Sequence, residues 1–188
     1  MGDGSGSSGI QPEPAPPSSP QANDPTAPSP HKPIRPQAHK PRMLLDADAC
    51  PVKEQVWKVA ARYGIEVLVV ANSPLRLPSQ PGVRMVVVPG GIDVADDWIA
   101  EHAEPGDLVL TADIPLAARV VGAGVRCLDF RGGEFTPSRV GDALAARDLN
   151  AYLRQLGMPS SGPSAFSAKD RGKFASALDA AAVRMLRG

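Results

Sequence analysis

The sequence predicts an α/β fold, a mainly parallel β-sheet flanked by helices and preceded by a disordered, proline-rich arm. Three observations predict it. Apolar runs at residues 43–45, 67–71 and 108–110 are continuous, and those at 83–88 and 125–128 are interrupted only by Arg84 and Arg126, so the runs do not alternate, as expected of strands buried on both faces. Helix-period patterns separate most of these runs, which favours parallel strands joined by crossovers. The third is a break in composition. Residues 1–41 hold 11 of the 21 prolines and no aromatic residue, so two materials share one chain.

Residues 1–41 have too few apolar side chains to offset the entropy of ordering them, and Pro12, Pro14, Pro16 and Pro17 favour extended polyproline conformations. The folded unit is expected over residues 42–188. Met43-Leu44-Leu45 forms the first strand and ends in Asp46-Ala47-Asp48. Val52, Val56, Val59 and Tyr63 then recur at helical spacing, with Pro51 suited to the first helical position and Gly64 as the stop. A second strand covers 67–71. A loop with Pro74, Pro78 and Pro81 leads to the third, at 83–88. Gly90-Gly91 breaks the chain, and residues 93–103 read as a helix with Val94, Trp98 and His102 on one stripe. The strand at 108–110 ends at Thr111-Ala112-Asp113. A helix from 115 to 121 and a strand at 125–128 follow. Beyond residue 137 only helical patterns remain, at 137–156 and 167–186, the second opening on a capping-box-like Ser167-x-x-Asp170.

Composition narrows the functional classes. The 188 residues carry 20 basic and 20 acidic side chains, which gives no electrostatic case for a DNA-wrapping or polybasic membrane-binding protein. Two cysteines are too few for a disulfide scaffold or a Cys-rich zinc site. No apolar stretch is long enough to span a bilayer, and no basic region precedes an apolar run at the N-terminus. A cytoplasmic protein without membrane contact is therefore expected.

The chemistry concentrates in acids at strand ends. In open parallel sheets, ligands bind beyond the carboxyl ends of the strands. Asp46 and Asp48 follow the first strand and Asp113 the fourth. Asp93, Asp96 and Asp97 lie at i, i+3 and i+4 after the third, where side chains share a helix face. Taken singly, each reads as a helix cap, Asp48 and Asp93 above all, and Asp107 reads as a turn residue after Gly106. As a set, convergent carboxylates without matching cations call for a divalent metal. An all-oxygen donor set suits Mg²⁺ or Mn²⁺ and phosphoester chemistry.

Several long motifs occur in order: Asp46-Ala47-Asp48-Ala49-Cys50-Pro51-Val52-Lys53, Val70-Ala71-Asn72, Gly91 through Ile99, Gly106 through Ala117, Arg131-Gly132, and Gly162-Pro163-x-x-Phe166-Ser167-x-x-Asp170-Arg171. Over about residues 43–187 they resemble the YaiI/YqxD family of uncharacterised bacterial proteins. That family is similar to PIN-like domains, and the resemblance implies a three-layer fold and a Mg²⁺- or Mn²⁺-dependent nuclease site acting on RNA. It places Asp46 and Asp113 as two of the acids and Asp93, Asp96 or Asp97 as a third. PIN nucleases carry a further acid on an early helix, for which Glu54 is only a rough match, and Asp48 is additional. The family has no established activity to carry over.

Other residues have two readings each. Asn72 and Ser73 follow the second strand, where Asn72 binds a phosphate or caps a turn. Thr111 belongs to the same edge. Lys53 offsets the acids or touches a phosphate. Arg76, Arg131 and Arg171 contact phosphate or pair with Asp. Cys50 and Cys127 read as packing residues, with no histidine near Cys50 in sequence: His31 and His39 fall in the arm and His102 at a helix end. Trp57 and Trp98 read as core, and Phe166 as a packing anchor or a contact.

Three functions compete. The first is a metal-dependent phosphodiesterase in which Asp46, Asp93, Asp97 and Asp113 are catalytic and Asp48 and Asp96 complete the ligand set. The second follows from Leu44-Leu45-Asp46-Ala47-Asp48, which also resembles the opening of haloacid-dehalogenase-like phosphatases, with Asp46 as nucleophile, Asp48 as general acid and Ser73 as the hydroxyl. The lysine that chemistry requires is missing, because residues 59–168 contain none. The third is a non-catalytic nucleic-acid or protein-binding module. The sequence leaves the oligomeric state open.

Overall fold

A computed structural model describes residues 39–48, 50–158 and 164–187. The predicted arm up to residue 38, and Gly162-Pro163 of the last motif, lie outside them.

The strands are β1 (Arg42–Asp46), β2 (Glu66–Ala71), β3 (Val83–Val87), β4 (Leu108–Leu110), β5 (Arg126–Leu128) and β6 (Glu134–Phe135). They form one six-stranded sheet in the order β3-β2-β1-β4-β5-β6. All pairs are parallel except β5 with β6. The helices are α1 (Lys53–Tyr63), α2 (Val94–His102), α3 (Ile114–Gly122), α4 (Pro137–Gln155) and α5 (Ala168–Arg187). The parallel α/β class is as the apolar runs predict. β6 escaped the sequence reading because two residues carry no periodicity.

Each face of the sheet has its own core. On one, Met43, Leu45, Val67, Val69, Leu108 and Leu110 meet Val56 and Val59 of α1 and Phe174, Leu178 and Met185 of α5. On the other, Leu44, Leu68, Val70, Val109 and Cys127 meet Ile99 of α2, Leu116 and Val120 of α3, and Val140 of α4. Alternate residues of one strand thus serve opposite layers, which is why the strands read as unbroken apolar runs.

Local details differ from expectation at several points. Pro51 stands before the N-cap residue Val52 instead of opening α1, and Asp48 caps no helix. Gly64 does end α1, at φ 64°. In α2 the most buried side chains are Ala95 and Ile99, while Trp98 is half-buried and stacks at 4.0 Å on the exposed His102. The capping box forms: the Ser167 hydroxyl donates to Asp170 Oδ2 at 2.7 Å, and Asp170 N–H donates to Ser167 Oγ at 3.2 Å. The Ser167 hydroxyl and the Ser167 N–H both donate to Asp170 Oδ2 and, with Arg131 nearby, hold the Asp170 carboxyl below its usual range.

Asp107 is no ordinary turn residue. It is fully buried ahead of β4 and accepts from Arg42 N–H (2.7 Å), the Arg42 guanidinium (2.9 Å) and Glu104 N–H (3.1 Å). His39 Nε2 lies 2.6 Å from the same carboxylate, so this histidine belongs to the folded unit and not to the arm. Arg42 and Asp107 stand 65 residues apart, a separation at which sequence gives no pairing signal.

Gly132, at φ 84°, sits where the β5–β6 turn meets α5, and a Cβ there would lie 2.8 Å from the Lys173 carbonyl oxygen. Gly132→Ala is expected to lower stability by about 2 kcal/mol or more, through left-handed strain and displacement of helix backbone. Gly141, in α4 with open space around it, gives the opposite sign: Gly141→Ala gains about 0.5–1 kcal/mol. Urea unfolding of both variants checks the pair.

Candidate active site

The strand order creates a switch point. From β1 the chain moves outward through β2 to β3, then returns to place β4 on the other side of β1. The carboxyl ends of β1 and β4 therefore open a crevice between diverging connections, the usual ligand position in such sheets. A cleft of about 360 Å³ lies there, lined by Asp46, Asp48, Asp93, Asp96 and Asp113 together with Asn72 and two alanines. The described lining contains no lysine, arginine or histidine.

Thr111 organises the centre. It is fully buried, and its hydroxyl donates to Asp46 Oδ2 at 2.7 Å while its oxygen accepts from Asp113 N–H at 2.9 Å. Asp113 is the N-cap of α3 and its Oδ1 accepts from Leu116 N–H at 2.7 Å. The two strand-end acids are thus fixed through one hydroxyl. Asp48 is exposed, and its Oδ2 accepts from Asn72 N–H at 3.3 Å. Asp93 occupies the N-cap position of α2 without making a cap bond. Its φ of 61° makes it the one non-glycine residue at positive φ among those described, a conformation aspartate tolerates better than most residues.

Like charges oppose one another here. Burial pushes the Asp46 carboxyl above its ordinary value, the Thr111 hydrogen bond opposes that rise, and Asp48 and Asp113 add to it. Asp96 rises to about 6, chiefly by desolvation and then by the charges of Asp113, Asp46 and Asp93. Burial likewise pushes the Cys50 thiol up to about 11, and Cys127 is raised too, so neither acts as a thiolate.

The remaining sequence-derived residues fall elsewhere. Asp97 points its Oδ1 at Arg119, 2.6 Å away, and lines a neighbouring hollow. Lys53, Ser73, Glu54, Arg76 and Arg171 do not line the acid cleft. Arg131 pairs with Asp170 at 2.9 Å, donates to the Ser164 carbonyl and lies 5.8 Å above the Phe166 ring, tying the turn after β5 to the segment before α5. Phe166 itself packs on the core. Neither Ser73 nor a lysine, the groups a haloacid-dehalogenase-like site would need, lines the cleft around Asp46.

The donor chemistry of the cleft, five carboxylates with the Asn72 amide beside them, fits a hard divalent cation. Among the described residues, no three His, Cys, Asp or Glu side chains stand close enough to enclose an ion. Enclosure requires side-chain rotation, which the exposed Asp48 and Asp93 permit and the hydrogen-bonded Asp46 and Asp113 resist.

Two outcomes follow for the metal-free protein. Because Asp46 and Asp96 are raised, the folded state binds more protons than the unfolded one between about pH 4 and 6. Stability must then fall as pH rises through that window. Asp96→Asn should flatten this slope and raise stability at pH 7.5 by about 1–2 kcal/mol, read as urea midpoints at pH 5 and 7.5 in chelator. Thr111→Val, which strands the Asp46 carboxylate and the Asp113 N–H, should cost about 1–3 kcal/mol in the same assay.

Relatives share most of this folded unit. A family model described as "Uncharacterized BCR, YaiI/YqxD family" matches residues 44–184. A UPF0178 protein of Caulobacter sp. (strain K31) is 52% identical over 145 residues, covering 77% of this chain and 96% of that protein. UPF0178 proteins of Rhodospirillum centenum and Rhodopseudomonas palustris (strain BisB18) are 48% and 47% identical, over 78% of this chain and 97% and 94% of theirs. No solved structure matches the chain. With a family model spanning the sheet and its helices, and relatives at about half identity along nearly their whole length, this chain belongs to the uncharacterised YaiI/YqxD (UPF0178) family.

Proposed function

We propose that the acid cleft is the Mg²⁺- or Mn²⁺-dependent active site of a phosphodiesterase that cleaves RNA. One observation carries the reading: five aspartates line a single cleft at the switch point, and no basic side chain lines it with them. Such a wall repels the phosphate of any substrate, and its charges add to the rise of Asp46 and Asp96. A divalent cation relieves both effects at once. The similarity of the family to PIN-like nucleases points the same way.

Asp46, Asp96 and Asp113 are the residues that would hold the ion, with Asp48 and Asp93 completing its surroundings. A bound divalent cation supplies Lewis acidity toward the phosphoryl oxygens and lowers the pKa of water. The protein's own part is positioning. The Thr111 hydroxyl keeps Asp46 turned into the cleft, and the bond to Leu116 N–H sets the angle of Asp113. Asp96, raised to about 6, holds its proton more readily than a free aspartate and gives it up when a cation arrives. Metal binding should therefore release protons near pH 6 and weaken below it.

The test is thermal melting with and without Mn²⁺. The wild type should melt several degrees higher with the ion, and Asp113→Asn should lose most of that shift. Its own fold should survive, since Asn caps helices as well as Asp does. An unchanged wild-type melting temperature refutes the metal site. Cleavage of RNA without phosphate release from an aryl monoester supports the diesterase, whereas release from the monoester alone favours a phosphatase.

A further inference from the structure

Beside the acid cleft lies a second hollow of about 310 Å³ that shares Asp93, Asp96 and Asp113 with it. It adds two basic side chains, Arg119 of α3 and Arg147 of α4, and the side chain of Ile92, which is 91% exposed. Neither arginine belongs to the motifs that the sequence offers as phosphate contacts. Arg119 is held by Asp97 alone, in an ion pair whose members are 45% and 57% exposed. Arg147 is exposed and forms no ion pair among the described residues.

We propose that Arg119 and Arg147 bind the phosphate adjacent to the scissile one in a single-stranded RNA, an inference that rests on the metal-dependent reading of the cleft. The two hollows share three carboxylates, Asp93, Asp96 and Asp113, as a common wall. A chain whose reacting phosphate sits against those acids, shielded by cations, has its next phosphate within the neighbouring hollow. Guanidinium groups match phosphate oxygens with paired N–H donors, and an exposed Asp97 partner is of small net worth, so Arg119 exchanges it readily. A substrate with a single phosphate leaves the second hollow empty, so the arginine pair selects a polymer over a monoester. Four aspartates, Asp93, Asp96, Asp97 and Asp113, face these two arginines in the hollow. The balance is negative until a divalent cation binds, so RNA affinity must depend on the cation.

Fluorescence anisotropy of a short labelled single-stranded RNA, titrated with full-length protein in Mn²⁺, tests this. Arg119→Ala and Arg147→Ala should each weaken binding about 5–30-fold, the loss of a charged hydrogen bond. Arg62→Ala, in the opposite helical layer, should bind as the wild type does. The Mn²⁺ melting shift should persist in all three variants. RNA affinity unchanged in both hollow variants, or no RNA binding by the wild type in Mn²⁺, overturns the inference while the persisting melting shift leaves the metal site standing. A wild type without the melting shift overturns the metal reading and this inference with it.

Discussion

The hydroxyl of Thr111 is the point on which the candidate site depends. It bridges the end of β1 to the start of α3 by donating to Asp46 and accepting from Asp113 N–H. Without it the Asp46 carboxylate loses its side-chain partner and the Asp113 N–H its acceptor, and the two strand-end acids lose their fixed separation. A serine could supply the same bonds but not the methyl group that fills the buried space at the end of β4. The parallel register of β1 with β4, which matches Leu45 to Leu110, delivers Asp46 and Thr111 to the same level of the sheet. Core packing on both faces sets that register, so the position of the acids is a by-product of where the leucines and valines must go.

The other buried aspartate shows what this protein does when a carboxylate is structural. Asp107, at the opposite end of β4, accepts from two backbone N–H groups and from Arg42, with His39 2.6 Å away. Its charge is matched within hydrogen-bonding distance. Asp46 has one neutral hydroxyl as its side-chain partner, and its charged neighbours are other aspartates. Burying a charge among like charges costs stability, and the chain retains Asp46 in a cleft lined by four further aspartates although it can neutralise a buried carboxylate elsewhere. The strained φ of Asp93 at the same place adds to the cost. A cluster that works against folding fits the proposed binding site, where a bound cation would remove the penalty.

Much of this was legible in the sequence, for definite reasons. Strands buried on both faces announce themselves as apolar runs, and acids that follow such runs must lie on the ligand edge of a parallel sheet. Asp46, Asp48, Asp93, Asp96 and Asp113 could be grouped on that basis alone. What stayed hidden depends on contacts between distant residues. Nothing in Gly106-Asp107 forecasts a bond to Arg42, and nothing local distinguishes Arg131, paired with Asp170, from Arg147, which has no such partner among the described residues. Asp97 shows the same limit. At i+4 from Asp93 it shares a helix face with the cluster, yet Arg119 from the next helix draws its carboxylate into the adjoining hollow.

Net charge, read as a total, is the least informative number for a protein built this way. Equal counts of acidic and basic residues suggest indifference to polyanions. The fold instead segregates them: a cleft of bare aspartates at the switch point, arginines in the hollow next to it, and other pairs spent on tying elements together, as Arg126 of β5 and Arg184 of α5 do with Glu134 of β6. An anionic polymer meets the local field and not the sum. At the cleft that field is repulsive to phosphate, and under the proposed reading a bound divalent cation would offset part of the charge of the five carboxylates and lessen the repulsion. Neutrality of the whole chain is therefore compatible with a site whose affinity for phosphate is set by divalent cations.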